Sequence, residues 1–104
     1  HSVAATLLGR AHREEELCLS GYEMQKAFAG VRDHQATLVI PLFDNDQNIE
    51  RLAEAVAQRQ QQSAIDHGYL IRGHGLYTWG PDVETALCRV EALEFLLECE
   101  LRKL

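Results

Sequence analysis

The chain has 104 residues, 46% apolar and 25% charged, which suits one globular domain or part of one. A formal net charge of −6 leaves it without the basic field that a phosphate backbone requires, so nucleic acid is not an expected partner. No apolar run reaches the roughly 18 residues of a bilayer span, so a membrane is not an expected partner either. Cys18, Cys88 and Cys99 are an odd set without a CxxC motif, which reads as reduced thiols of a cytoplasmic protein rather than a disulfide framework. The first residue is His1 and not Met, so the start of the chain says nothing about a leader segment.

Ser2 is a good N-cap for the apolar run Val3 to Leu8. His1 therefore stands just before a helix start, where the positive end of the dipole favours a neutral imidazole, the form that binds metal. Taken by itself, a terminal histidine in that place reads as a frayed end. Arg10 to Glu16 are mostly charged and are expected on the surface. Ser20 and Glu23 fit a capping box, which predicts a helix from Ser20 to about Ala29, closed by Gly30. On that reading Glu23 bonds back to the Ser20 backbone and has a purely structural duty.

Thr37 to Ile40 read as a buried strand stopped by Pro41. Asp44-Asn45-Asp46 is turn chemistry; it lacks the glycine and distal glutamate of a calcium loop. Ile49 to about Gln62 read as a helix with Ile49, Leu52, Ala53, Val56 and Ala57 on one stripe and a solvated, glutamine-rich end. Ser63 to Gly68 connect it onward, with His67 expected in an exposed loop. Tyr69 to Ile71 and Leu76 to Trp79 read as two short strands around Gly73-His74-Gly75. The two glycines widen the backbone choices of that turn and clear space beside the imidazole. One histidine is no metal site, so spacing alone favours a hairpin turn with His74 at its tip.

Pro81 and Asp82 launch a last helix with Val83, Leu87, Val90, Leu93, Leu97, Leu101 and Leu104 along one side, widened by Phe95, Leu96 and Cys99. Its surplus apolar surface suits another subunit or a further segment of chain. The predicted order is helix, helix, strand, helix, strand–turn–strand, helix, without internal repeat.

Five segments, HSVAATLL (1–8), SGYEM (20–24), LVIPLFDN (38–45), RGHGLYTWG (72–80) and EALEFLLE (91–98), together resemble the C-terminal half of a class II aldolase/adducin domain. The wording of the last two is closest to the dehydratase branch of that family, which serves methionine salvage. The resemblance implies an α/β fold, a three-layer αβα domain of which residues 1–104 are the C-terminal part and the N-terminal part is absent. It implies a Zn2+ cofactor held by an H-x-H pair and a distant histidine: His74 falls on the distant ligand and His1 on the second of the pair. It puts Glu23 on the acid/base glutamate, while His12, His34 and His67 match no ligand. The implied partner is a small-molecule sugar phosphate, methylthioribulose 1-phosphate, which loses water to give a diketo phosphate. The implied assembly is a homotetramer in the cytoplasm. Aldolase and epimerase branches use the same metal for other outcomes, and an adducin-like branch keeps the fold as a non-catalytic interaction domain.

Overall fold

The computed structural model describes residues 1–28 and 30–104, so Ala29, where the second helix was expected to end, lies outside the described residues. In chain order the elements are α1 (Val3–Ala11), β1 (Glu16–Leu19), a short 3-10 segment (Glu23–Ala27), β2 (Leu38–Phe43), α2 (Ile49–Gln62), β3 (Tyr69–Ile71), β4 (Gly75–Tyr77) and α3 (Val83–Arg102). The four strands form a mixed sheet in the order β1-β2-β3-β4. β1 and β2 are antiparallel, β2 and β3 parallel, and β3 and β4 an antiparallel hairpin. A parallel pair needs a crossover, and α2 provides it. The fold is thus α/β, as expected.

Each helix begins where a short polar side chain accepts an orphan backbone N–H. Ser2 Oγ accepts from Ala5 at 3.0 Å, Asn48 Oδ1 from Arg51 at 3.3 Å, and Asp82 Oδ1 from Thr85 at 2.7 Å. The Asp44–Asp46 turn serves the middle one: Asp46 Oδ1 accepts the Asn48 N–H at 2.8 Å, and the same carboxylate pairs with Arg51.

Three expectations about strands and caps are corrected. First, the charged stretch before Ser20 contains a strand. Leu17 and Leu19 are buried and Glu16 and Cys18 exposed, an alternation too short to stand out beside the arginines and glutamates that precede it. Second, β2 does not stop at Pro41 but continues to Phe43. Leu42 donates its N–H to Glu15 O of the β1 side at 2.8 Å, so the missing proline N–H belongs to the β3 side, where pairing starts only at Leu42. Third, the Ser20–Glu23 capping box is not made. The reciprocal residue is Gln25: it is fully buried, its Oε1 accepts the Tyr22 N–H at 3.0 Å, and its Nε2 donates to Ala36 O at 2.6 Å. The resulting segment is a 3-10 turn pinned to the following loop, and Glu23 is left free of capping.

Leu38, Ile40, Leu42 and Leu70 face a core completed by Ala5 and Leu8 of α1 and by Leu93, Leu96 and Leu97 of α3. Each fully buried leucine stabilises the fold by about 1.5–3 kcal/mol. The predicted stripe of α3 is buried only in its middle. Val83 is 85% exposed, and Leu87, Phe95 and Leu104 also remain open. The other face of the hairpin carries Tyr69, Ile71 and Tyr77. With Leu52, Val56 and Trp79 they line an apolar groove of about 590 Å³ beneath α2. No residue of α2 is buried, and Ile49 is 71% exposed, so the predicted stripe looks into this groove rather than into the core. Among the described residues no helix is long and apolar enough to cross a membrane.

His67 is half-buried with its ring edge-on to Phe28, 5.3 Å between centroids, and is not the exposed loop histidine expected. Burial lowers its pKa from the ordinary 6.5, Asp66 opposes that, and Arg89 adds to it. The neutral ring is then the native form, while the unfolded chain takes up a proton first. Stability is expected to be flat above pH 6.5, to fall as the pH drops below it, and to level off below the lowered native pKa. A urea midpoint followed against pH checks this, and His67→Gln should flatten the slope below pH 6.5.

Candidate functional site

The β3–β4 turn is built to present one imidazole. His74 N–H donates to Ile71 O at 3.0 Å, and Gly73 takes a φ of +70°, a left-handed value that suits glycine. Gly75 is crowded for a different reason. A Cβ built there would lie 3.2 Å from the Cα of His1 and 3.4 Å from its N, so the chain start crosses directly over this glycine. The consequence is that the rings of His1 and His74 meet edge to face, 4.5 Å between centroids at an interplanar angle of 64°.

Arg72 secures the other end of α1 to the same turn. Its guanidinium donates to Gly9 O at 3.1 Å, to His12 O and to Glu14 O at 2.7 Å, while Nε donates to Asp44 Oδ1 at 3.1 Å. These carbonyls lie at and just beyond the C-terminus of α1, where a cation is also favoured by the helix dipole. α1 is therefore held to the hairpin at both ends, by Gly75 below His1 and by Arg72 below Gly9. Sequence reasoning did not single out Arg72, because an arginine before Gly-His carries no local sign of which carbonyls it will reach.

Two imidazoles on an open face are donors for a borderline-soft divalent ion such as zinc, and they fit as two of the three protein ligands that a catalytic zinc normally has. Among the described residues no group of three or more His, Cys, Asp or Glu side chains is gathered for a metal. Glu23 opens the 3-10 segment with its side chain 72% exposed and paired with Lys26. The Lys26 ammonium holds its carboxyl below the ordinary carboxylate range. The structure brings the two imidazoles together and leaves the Glu23 carboxylate on the surface. His12 is used locally, with Nε2 at 2.9 Å from Glu16 O, and His34 is exposed.

The polar cleft between α2 and β2 holds Arg51, Arg59 and Arg72, each already paired with a carboxylate: Asp46 at 2.8 Å, Glu16 at 2.7 Å and Asp44 at 3.1 Å. Cys18, Cys88 and Cys99 are free thiols.

The sequence model of the class II aldolase and adducin N-terminal domain matches residues 1–101. A methylthioribulose-1-phosphate dehydratase of Pseudomonas aeruginosa strain UCBPP-PA14 is 55% identical over 104 residues, 100% of this chain and 51% of that protein. Proteins of the same name from Yersinia enterocolitica and Serratia proteamaculans are 52% and 50% identical over 103 residues, 99% of this chain and 49% and 50% of theirs. The chain spans about half the length of the curated relatives it matches.

Proposed function

The chain belongs to the class II aldolase and adducin family, and from that membership we propose that the protein is a metal-dependent hydro-lyase that dehydrates methylthioribulose 1-phosphate to a diketo-methylthiopentyl phosphate in methionine salvage. The observation that carries this reading is the convergence of His1 and His74 in a chain matched from end to end by relatives of that name. The fold we propose is the three-layer αβα arrangement, with α1 and α3 on one face of the sheet and α2 on the other. His1 and His74 would hold Zn2+, and a third ligand would come from outside the described residues. When bound, the ion supplies stabilisation for the negative charge that builds on the substrate carbonyl oxygen.

The remaining chemistry falls to the chain. His1 lies just before the N-cap of α1, and that placement brings its ring to the His74 turn. Glu23 is the proton carrier. Its carboxylate is not spent on capping, and Lys26 favours its ionised form, which is the form of a base. Glu23 takes the proton from the carbon beside the carbonyl, and the electron pair left behind becomes a carbon–carbon double bond as the C–O bond of the next carbon breaks. The same proton, returned by Glu23, lets that hydroxyl depart as water; the enol that results takes up a proton on carbon and gives the diketone. The exposed apolar residues of α3 support a homo-oligomer, a tetramer in keeping with the family resemblance, and the setting we propose is the cytoplasm.

The test is an assay of the whole protein on methylthioribulose 1-phosphate. A product lighter by one water supports dehydration, and a product in two fragments supports an aldolase instead. No turnover together with no bound metal supports an adducin-like interaction domain. Glu23→Gln is expected to keep its metal and lose turnover by about 100-fold or more. Unchanged turnover in that variant removes Glu23 from the mechanism.

A further inference from the structure

A metal-ligating histidine usually has its ring fixed by a hydrogen bond from the nitrogen that does not ligate. His74 is half-buried, yet among the described residues its ring makes no such bond, and the glycines on either side offer it no side chain. What it has instead is an aromatic face. The ring of Tyr77 lies nearly parallel to the imidazole, 6.1 Å between centroids at 15°. Tyr77 is itself held from the sheet. It is the cross-strand partner of Tyr69 and stacks on it at 5.0 Å and 11°, and Tyr69 stands edge-on to Phe43 at 5.4 Å and 89°. A row of rings thus runs from β2 through β3 and β4 to the turn, and each ring limits the tilt of the next.

We propose that Tyr77 is a positioning residue: its stacked ring sets the orientation at which the His74 imidazole meets His1. This rests on reading those two histidines as metal ligands. The phenol has no part in the chemistry, and the ring face alone carries the role. Phenylalanine should therefore replace it and an aliphatic side chain should not. Tyr77 is 38% exposed, so its removal leaves the core intact.

The experiment is cobalt binding to the whole protein, followed by visible absorption and by competition with a chromophoric chelator. Tyr77→Leu is expected to bind Co2+ about 10- to 100-fold more weakly with an altered absorption band and an unchanged melting temperature. Tyr77→Phe should match the parent in both. Trp79→Leu is the packing control, because Trp79 touches Tyr69 at 6.2 Å between centroids within the same cluster, and it should leave cobalt binding unchanged. Parent-like cobalt binding by Tyr77→Leu overturns the proposal. So does weakening of Tyr77→Phe to the level of Tyr77→Leu, which would assign the effect to the hydroxyl, or equal weakening by Trp79→Leu, which would assign it to packing. His74→Ala separates the two levels: if it keeps cobalt, the ligand reading fails and this inference with it, whereas if only His74→Ala loses cobalt, the inference fails alone.

Discussion

His74→Ala is expected to release the metal and to lower turnover about 1,000-fold, with little change in stability. Removing a metal that offsets charge on a carbonyl oxygen forfeits several kcal/mol of transition-state stabilisation, and about 1.4 kcal/mol is one decade of rate. Stability should hold because His74 is a turn residue that adds no side chain to the core; the hairpin is closed by its backbone N–H to Ile71 O at 3.0 Å, which alanine keeps. Metal analysis and kcat/KM on the same preparation check both parts. His12→Ala is the control, since that ring serves a backbone carbonyl at 2.9 Å and should affect neither. Full metal occupancy in His74→Ala would remove the histidine pair from the site.

Arg72→Ala should produce the largest loss of stability, about 2–4 kcal/mol. One guanidinium donates to three carbonyls, those of Gly9, His12 and Glu14, and to the Asp44 carboxylate. Hydrogen bonds to a charged group contribute about 1.5–3 kcal/mol each, and water reaching this partly exposed site restores some of that. Arg72→Lys should recover little, because a single ammonium cannot copy the planar fork that meets several acceptors at once. A urea midpoint measures the loss, and amide exchange in α1 locates it. If Arg72 fastens α1, exchange should quicken near Gly9 and metal affinity should fall, because His1 rides on the same helix. An unchanged midpoint would show that the clasp is not needed.

Much of this architecture is local chemistry. Ser2 and Asp82 cap the helices they precede, Asp44 to Asp46 form the turn that feeds α2, and the glycines around His74 mark the hairpin. Each signal acts within about four residues, the range over which a side chain competes for neighbouring backbone groups. For the same reason the β1 strand was hidden: Leu17 and Leu19 alternate over only four residues, and their pairing with Leu38 to Pro41 supplies the order. His67 looked exposed because nothing nearby in the chain announces Phe28.

The candidate site divides in the same way. Its residue types, the two imidazoles and the carboxylate of Glu23, stand in the linear order of amino acids, and the family resemblance assigns them roles. Their arrangement does not. His1 and His74 are 73 positions apart and meet because Gly75 has no side chain where the chain start crosses it and because Arg72 fastens the far end of α1. Capping, turns and amphipathic stripes are decided within a few residues, so composition and spacing suffice for them. Which rings touch, which carbonyls a guanidinium finds and which carboxylate stays in water depend on packing between segments distant in the chain, and only the folded molecule contains that.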